Sequence, residues 1–206
     1  MENYFSNDQY HNRDYVIFLE NDLFEIAKKE KNKKWLHLGC GGRVLDGFIN
    51  VDKYVEHPEV FNFDIYKLPY EDNSVDLIYC SHVLEHLPYR HSKMAMSEWG
   101  RVLKKESKLF LAIPDLDLIM IKMLDPTISH ETWEWYLHTL FGFQTNPSNL
   151  NSDVLDYPLD LGQFHTCGFN KKTISQELQK INFEIVEMFN YDGWDTPSIW
   201  VTAVKK

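Results

Sequence analysis

Glycine and carboxylate residues between positions 33 and 52 have the types and spacing of a nucleotide-binding site. A short apolar run at 35–38 is followed by GCGG at 39–42, and a second apolar run at 48–51 ends on Asp52. Glycines let the backbone approach a ligand closely, and a carboxylate at the tip of the next strand can accept hydrogen bonds from a ribose diol. Strand, glycine turn, strand and carboxylate form the layout of a nucleotide site at the carboxyl edge of a parallel sheet. The alternative is an ordinary tight turn, because a lone glycine cluster is weak support.

Two histidines are candidates for proton transfer. The apolar run VDLIYC at 75–80 opens directly onto Ser81 and His82, so His82 is the first candidate for a general base at a strand tip. His165 is the second candidate, because it follows a segment at 144–164 rich in Asn, Asp, Pro and Ser that could cover a site. For both side chains the alternative is a hydrogen-bonded structural histidine.

The string HVLEH at 82–86 also matches HxxEH, an inverted zinc-protease motif. Histidines four apart on one helix can share a metal ion, but His82 directly follows a buried strand, so a metalloprotease is a remote alternative. Glu85 and His86 are expected to begin the next helix and to pack or cap there. The chain's three cysteines, at 40, 80 and 167, form no CxxC pair, so neither a disulfide framework nor a zinc site is indicated and no metal ligand is predicted.

Strands and helices that could position these residues alternate along the chain. Apolar runs predict strands at 35–38, 48–51, 60–64, 75–80, 108–113, 183–189 and 199–204, and helical spacing predicts helices at 15–29, 92–105, 116–124, 131–140 and 171–180. Alternating strands and helices predict a three-layer α/β sandwich. No helix fits between the last two strands, so they are expected to pair antiparallel.

Composition narrows the class of protein. A chain of 206 residues that is 44% hydrophobic can form one domain with a sizeable core. The net charge of −10, from 21 basic and 31 acidic residues, argues against a nucleic-acid partner. No apolar run approaches the ~20 residues of a membrane span, and the polar, acidic N-terminus is unlike a signal peptide. A soluble, cytoplasmic protein is predicted, and its oligomeric state is left open.

Four motifs, in order, resemble those of the class I S-adenosylmethionine-dependent methyltransferases. LHLGCGG resembles the family's first glycine motif, and NVD resembles the acidic end of the second strand. FDIYKLPYEDNSVDLIYCSHVLEHL resembles the third and fourth strand motifs together, and RVLKKESKLFLAIPD resembles the lead-in to the fifth strand. Segments at 142–144 and 163–170 resemble a subgroup of predicted methyltransferases linked to cell-surface glycan genes. The resemblance implies a Rossmann-like sandwich whose seven-stranded, mostly parallel sheet is closed by an antiparallel C-terminal strand pair.

The first glycine loop departs from the family pattern. In the family this loop leads into a full helix, but here only about ten residues separate Gly41 from Asp52. A short loop at 43–47 is therefore predicted in place of the helix. The same spacing counts against a nicotinamide-binding unit, which has a third Gly or Ala where this chain has Val44, and an acid ~20 residues further on.

The resemblance implies S-adenosyl-L-methionine as the cofactor. The implied cofactor-binding residues lie at the strand ends: Gly39, Cys40, Gly41, Asp52, Lys53, Asp64, Ile65, Ser81 and His82. The glycine-loop backbone would pack against the amino-acid end and the ribose, whose hydroxyls would bind Asp52. Asp64 would accept a hydrogen bond from the adenine amino group, and the Ile65 N–H would donate to the ring. Ser81 and His82 would line the methyl-transfer centre, with His82 and His165 as the candidate catalytic residues.

The implied activity is methyl transfer to a small molecule, with a sugar or sugar-linked metabolite preferred. One domain is expected over 1–206, with an N-terminal helix at about 15–30 and a helical and loop elaboration at about 115–170 near the acceptor site. Four aromatic residues of that elaboration could wall the acceptor pocket or pack in the core: Trp133, Trp135, Tyr136 and Phe141. A non-catalytic protein of the same fold that binds S-adenosylmethionine or a partner is the alternative, because fold does not imply function.

Overall fold

The structure, a computed structural model, describes residues 13–30, 32–142, 161–191 and 196–206. In these ranges the strands are β1 (Trp35–Leu38), β2 (Ile49–Val51), β3 (Val60–Phe61), β4 (Val75–Ser81), β5 (Leu103–Pro114), β6 (Phe183–Tyr191) and β7 (Ser198–Lys205). The α-helices are α1 (Arg13–Ala27), α2 (Tyr89–Val102), α3 (Leu116–Met123), α4 (His130–Phe141) and α5 (Lys171–Lys180). Single 3-10 turns span Leu84–His86 and Leu161–Gln163. Within these ranges, no helix is long and apolar enough to cross a membrane.

The strands form one sheet in the order β3-β2-β1-β4-β5-β7-β6. The first five are parallel, and β7 runs antiparallel to both β5 and β6. The predicted Rossmann-like sandwich, with its antiparallel C-terminal pair, is therefore confirmed. Because the carboxyl ends of the parallel strands meet at one edge, the residues that follow β1, β2 and β4 lie near one another.

Continuous apolar runs form the central strands because both faces of the sheet are covered. All four residues of β1 are buried, and so are five of the seven in β4. On one face the core contains Leu36, Ile78 and Trp99, and on the other it contains Trp35 and Tyr79. The N-terminal helix α1 packs on this second face through Leu23 and Ala27.

The loop between β1 and β2 contains no helix, as its length predicted. Two strand boundaries differ from those predicted by more than two residues. The third strand ends at Phe61, so the prediction that it runs to Asp64 was wrong. The chain turns there because the Asn62 side-chain amide donates to the carbonyl oxygens of Asp52 (2.9 Å) and Val55 (2.8 Å). The fifth strand begins five residues before the predicted Lys108, at Leu103.

A buried histidine makes the fold sensitive to acid. His37 of β1 is 4% exposed, and its Nδ1 lies 3.0 Å from Asn50 Oδ1. Burial lowers the pKa of His37 to about 4. The unfolded chain takes up a proton at this residue below its usual pKa of about 6.5, whereas the folded chain does so only near pH 4. Acid between these values therefore favours unfolding.

We expect His37 to remove about 3 kcal/mol of folding stability as the pH falls from 6.5 to 4. Urea unfolding across this range should show a shallower pH dependence in His37→Gln than in the wild type. His57→Gln, which alters an exposed histidine, should retain the wild-type pH dependence. Equal pH dependence in the wild type and His37→Gln would show that His37 is not the source of the acid sensitivity.

Candidate active site

Asp52 and the glycine loop are hydrogen-bonded to each other at the carboxyl end of β1. Asp52 follows β2 directly, and its Oδ2 accepts a hydrogen bond from the Gly41 N–H at 2.9 Å. Its Oδ1 accepts from the Tyr54 N–H, also at 2.9 Å. Each carboxylate oxygen can accept more than one hydrogen bond, so an oriented, half-buried Asp52 can still bind a hydroxyl pair.

The glycine loop lies against the segment that follows β4. Gly39 has φ +65°, and a Cβ there would lie 2.3 Å from Val83 Cγ2. This position therefore requires glycine both for its backbone conformation and for its close packing. At Gly41, by contrast, a Cβ would meet no atom within 4 Å. The loop backbone is thus open on the side where a ligand could approach, which fits the cofactor that the sequence implies.

Asp64 lies three residues beyond β3 and is paired with a lysine. Its Oδ1 is 2.7 Å from Lys53 Nζ, and both side chains are partly exposed. Ile65 is 7% exposed, and its carbonyl accepts a hydrogen bond from the indole Nε1 of Trp99 at 3.0 Å. The tryptophan of α2 therefore holds the turn that carries Asp64 and Ile65 beside the sheet edge.

Ser81 ends β4, and His82 follows it in a left-handed conformation. His82 has φ +55°, which is uncommon for a residue with a side chain and is concentrated at functional positions. Its N–H donates to the Ala112 carbonyl at 2.9 Å, and its Nε2 lies 3.3 Å from Ser198 Oγ. These contacts hold the imidazole at the carboxyl edge, next to the start of β7.

A buried carboxylate lies beside His82. Glu85 is 2% exposed, and its Oε1 lies 3.2 Å from His82 Nδ1. Among the described residues, neither Glu85 carboxylate oxygen has a hydrogen-bond partner of good geometry. Burial raises the pKa of Glu85, but the close contact with His82, together with attraction to His86 and His165, outweighs burial, and the net direction is downward. An ionised, poorly solvated carboxylate therefore lies among three imidazoles.

His82, Glu85, His86 and His165 form one polar cluster. His165 joins it from a segment far along the chain from the other three. Its Nδ1 lies 2.8 Å from the Thr139 carbonyl, and its ring centroid lies 4.7 Å from that of His86. Burial lowers the pKa of His165, which favours the neutral imidazole. Gly142 allows this approach: it has φ +78° and ψ 168°, and a Cβ there would lie 1.8 Å from the Gln163 carbonyl oxygen.

A cavity of about 230 Å³ opens beside this cluster. Its polar wall includes Glu85 and His165. Its apolar wall comes from the end of β5, from α3 and α4, and from the chain after His165: Pro114, Leu116, Ile119, Leu140, Phe141 and Cys167. The two candidate catalytic histidines are thus brought to one polar cluster, and His165 lines the cavity. The predicted loop at 144–164 lies outside the described residues except for its last four positions.

His82 lies outside the helical turn that follows it, as expected from the buried strand before it. It is left-handed and only Leu84–His86 form a 3-10 turn, so the HxxEH string does not form one metal-binding helix. Two sequence interpretations need correction. Glu85 and His86 do not begin α2, which starts at Tyr89. A core role for Trp133 and Trp135 is also wrong, since they are 38% and 37% exposed on α4.

The strand order of the sheet, with the glycine loop and Asp52 at its carboxyl edge, is that of the class I S-adenosylmethionine-dependent methyltransferase fold. Residues 44–111 match the family described as "Methyltransferase domain". This match confirms the resemblance seen in the sequence and supports S-adenosylmethionine as the cofactor, and the solved structures below confirm the fold. The narrower resemblance to a glycan-linked subgroup stays a prediction.

The chain is similar to proteins from several organisms. An uncharacterised protein of Methanocaldococcus jannaschii is 32% identical over 123 residues, which are 52% of each chain; the chain therefore spans about half the length of this curated relative. A structure described as a SAM-dependent methyltransferase of Methanosarcina mazei has a TM-score of 0.59 at 15% identity, covering 85% of this chain and 93% of that one. The magnesium protoporphyrin IX methyltransferase of Synechocystis, solved with bound SAH, has a TM-score of 0.53 at 13% identity, covering 90% and 81%.

Proposed function

We propose that this protein transfers a methyl group from S-adenosylmethionine to a small-molecule acceptor, with a sugar or sugar-linked metabolite as the preferred class. The proposal rests on one observation: the glycine loop with Asp52 and the polar cluster with its cavity lie at the same edge of the sheet. Asp52 and the open glycine loop lie at the ends of β1 and β2, and the polar cluster with its cavity lies at the ends of β4 and β5. A cofactor side and an acceptor side thus meet near His82.

The cofactor-side residues have distinct roles in the proposal. Asp52, held by two main-chain N–H groups, binds the ribose hydroxyls, and the backbone at 39–41 lies against the amino-acid end and the ribose. Asp64 accepts a hydrogen bond from the adenine amino group. To do so, it either releases Lys53 or keeps that contact through its other lone pairs. The Ile65 N–H donates to the adenine ring, and Ser81 and His82 adjoin the methyl group.

The bound cofactor supplies a methyl carbon on a positively charged sulfur. The acceptor's lone pair forms a bond to that carbon while the carbon–sulfur bond breaks and its electrons stay on sulfur. For a hydroxyl acceptor the remaining proton must leave, and His82 is the first candidate to take it, with His165 the second. Holding the acceptor in line within the cavity supplies most of the rate acceleration.

A non-catalytic S-adenosylmethionine-binding protein is the alternative function. The cavity beside Glu85 and His165 favours an enzyme, because a protein that only bound the cofactor would not need a second, polar-walled cavity at the same edge. Cys40, Cys80 and Cys167 are all free thiols, which suits the reducing cytoplasm proposed as its location.

Deuterated S-adenosylmethionine would test turnover. The protein is incubated with S-adenosylmethionine carrying a trideuterated methyl group and with a panel of sugars and sugar-linked metabolites. We expect a trideuteromethylated product and an equal amount of S-adenosylhomocysteine. Saturable cofactor binding without product from any acceptor in the panel would favour the non-catalytic alternative.

A further inference from the structure

Three potential metal ligands converge beside the cavity. One oxygen of Glu85 and one ring nitrogen each of His86 and His165 all lie within 4.8 Å of one another. Glu85 is buried and the two histidines are half-buried. The sequence predicted no metal ligand, because the third member is far from the other two along the chain.

Backbone carbonyls determine which nitrogen of each histidine keeps its lone pair for a metal ion. His86 Nδ1 lies 3.2 Å from the Phe164 carbonyl oxygen, and His165 Nδ1 lies 2.8 Å from the Thr139 carbonyl oxygen. A carbonyl oxygen can only accept, so each Nδ1 carries the proton and each Nε2 keeps its lone pair. Histidines that bind metals are typically held in this way, with the other ring N–H donated to a carbonyl or carboxylate.

Glu85 is the strongest indication of a cation-binding site. A buried carboxylate is costly unless it is paired and hydrogen-bonded, yet neither of its oxygens has a hydrogen-bond partner among the residues described. The basic side chain beside it is that of His82, whose Nδ1 is 3.2 Å from Oε1 and whose side chain is 38% exposed. Glu85 and His165 are both lining residues of the cavity, so the cluster lies next to a space that an ion could enter.

We propose that Glu85, His86 and His165 bind a divalent transition-metal ion at the wall of the cavity. Two imidazole nitrogens and one carboxylate oxygen suit Zn²⁺, Co²⁺ or Fe²⁺ better than Mg²⁺ or Ca²⁺, which prefer oxygen ligands. The ligand atoms, which lie within 4.8 Å of one another, must approach to about 3.4 Å to share a tetrahedral ion at bond lengths of about 2.0–2.2 Å. Three protein ligands leave a coordination position for an exogenous molecule, as in catalytic zinc sites.

This ion would give the cavity a preference for oxygen-bearing acceptors, a consequence that rests on the proposed methyl transfer. An acceptor hydroxyl bound to the ion becomes more acidic, because a divalent cation lowers the pKa of a bound oxygen acid. The hydroxyl proton passes to His82 or to water, and the oxygen then attacks the methyl carbon. His165 acts here as a ligand rather than as a base.

Cobalt titration tests the site directly. Tag-free, chelator-treated full-length protein is titrated with Co²⁺ in the absence of S-adenosylmethionine, while visible d–d absorption is recorded. We expect saturation near one Co²⁺ per chain and displacement by Zn²⁺. In Glu85→Gln and His165→Gln, Co²⁺ affinity should fall at least tenfold, and the rise in melting temperature that Zn²⁺ gives the wild type should be lost.

His130→Gln is the matched control. His130 Nδ1 lies 3.6 Å from Glu134 Oε2 on the exposed face of α4, so it forms a histidine–glutamate pair outside the cluster. Its replacement should leave Co²⁺ affinity unchanged.

If Glu85→Gln fails to fold, His86→Gln replaces it, since that side chain is half-exposed. No saturable Co²⁺ binding, or equal binding in the wild type and cluster variants, would overturn the metal site. Because no cofactor is present, this result is independent of methyl-donor binding.

Discussion

In the Asp52→Ala variant, the affinity for S-adenosylmethionine should fall at least tenfold. Asp52 is the carboxylate that the glycine loop orients at the end of β2 through the Gly41 N–H. Its loss removes charge-assisted hydrogen bonds to the ribose that contribute about 1.5–3 kcal/mol. Isothermal titration calorimetry of the purified variant measures this loss.

The control must separate lost contacts from a distorted loop, because Asp52 also accepts the Gly41 and Tyr54 N–H groups. Asp46→Ala removes an exposed carboxylate from the same loop and should bind S-adenosylmethionine as the wild type does. Urea unfolding of both variants shows whether the loop change spreads through the fold. A folded Asp52→Ala protein with wild-type affinity would remove Asp52 from the cofactor site.

Asp115→Ala should destabilise the fold by about 2–5 kcal/mol. Asp115 is fully buried, and its Oδ1 accepts from the N–H groups of Asp117 (3.1 Å) and Leu118 (3.2 Å) at the start of α3. Its Oδ2 accepts a hydrogen bond from the Asn190 side chain on β6. The variant loses the helix N-cap and leaves the buried Asn190 amide unpaired. Urea unfolding at neutral pH measures the change.

Two further variants make the Asp115 prediction specific. Asp115→Asn keeps an acceptor for the helix N-terminus and should lose clearly less stability than Asp115→Ala. Asp125→Ala removes an exposed aspartate that also accepts from a main-chain N–H two residues on, that of Thr127 at 2.8 Å, and should change stability little. Equal stability of Asp115→Ala and the wild type would show that the buried network contributes nothing to the fold.

The sheet, and the position of the glycine loop beside Asp52 at its edge, could be predicted because their signals are local. The apolar runs of β1 and β4 are buried on both faces, and the short span between Gly41 and Asp52 leaves no room for a helix. A glycine turn and a strand-end carboxylate are neighbours in space whenever their strands are, so the Gly41–Asp52 contact follows from the strand order.

The polar cluster could not be predicted because it depends on how distant segments meet. Glu85 and His86 are brought to His165 by the Thr139 and Phe164 carbonyls and by the conformation of Gly142, none of which has a local sequence pattern. The end of β3 was missed because Asn62 turns the chain through side-chain bonds to two carbonyls. The aromatic stripe of α4 has core-like composition but faces outward at Trp133 and Trp135. The HVLEH string at 82–86 and His165 were the available signals of the cluster, but no local pattern indicated that they meet.

Calorimetric titration of the metal-free, full-length protein with S-adenosylmethionine and S-adenosylhomocysteine tests the central claim most directly. We expect saturable binding of both ligands near one per chain, with the affinity for S-adenosylmethionine weakened in Asp52→Ala and unchanged in Asp46→Ala. No binding of either ligand to a well-folded sample would contradict the proposed methyltransferase function. The cobalt titration of Glu85, His86 and His165 would then stand alone as the test of what this edge of the sheet binds.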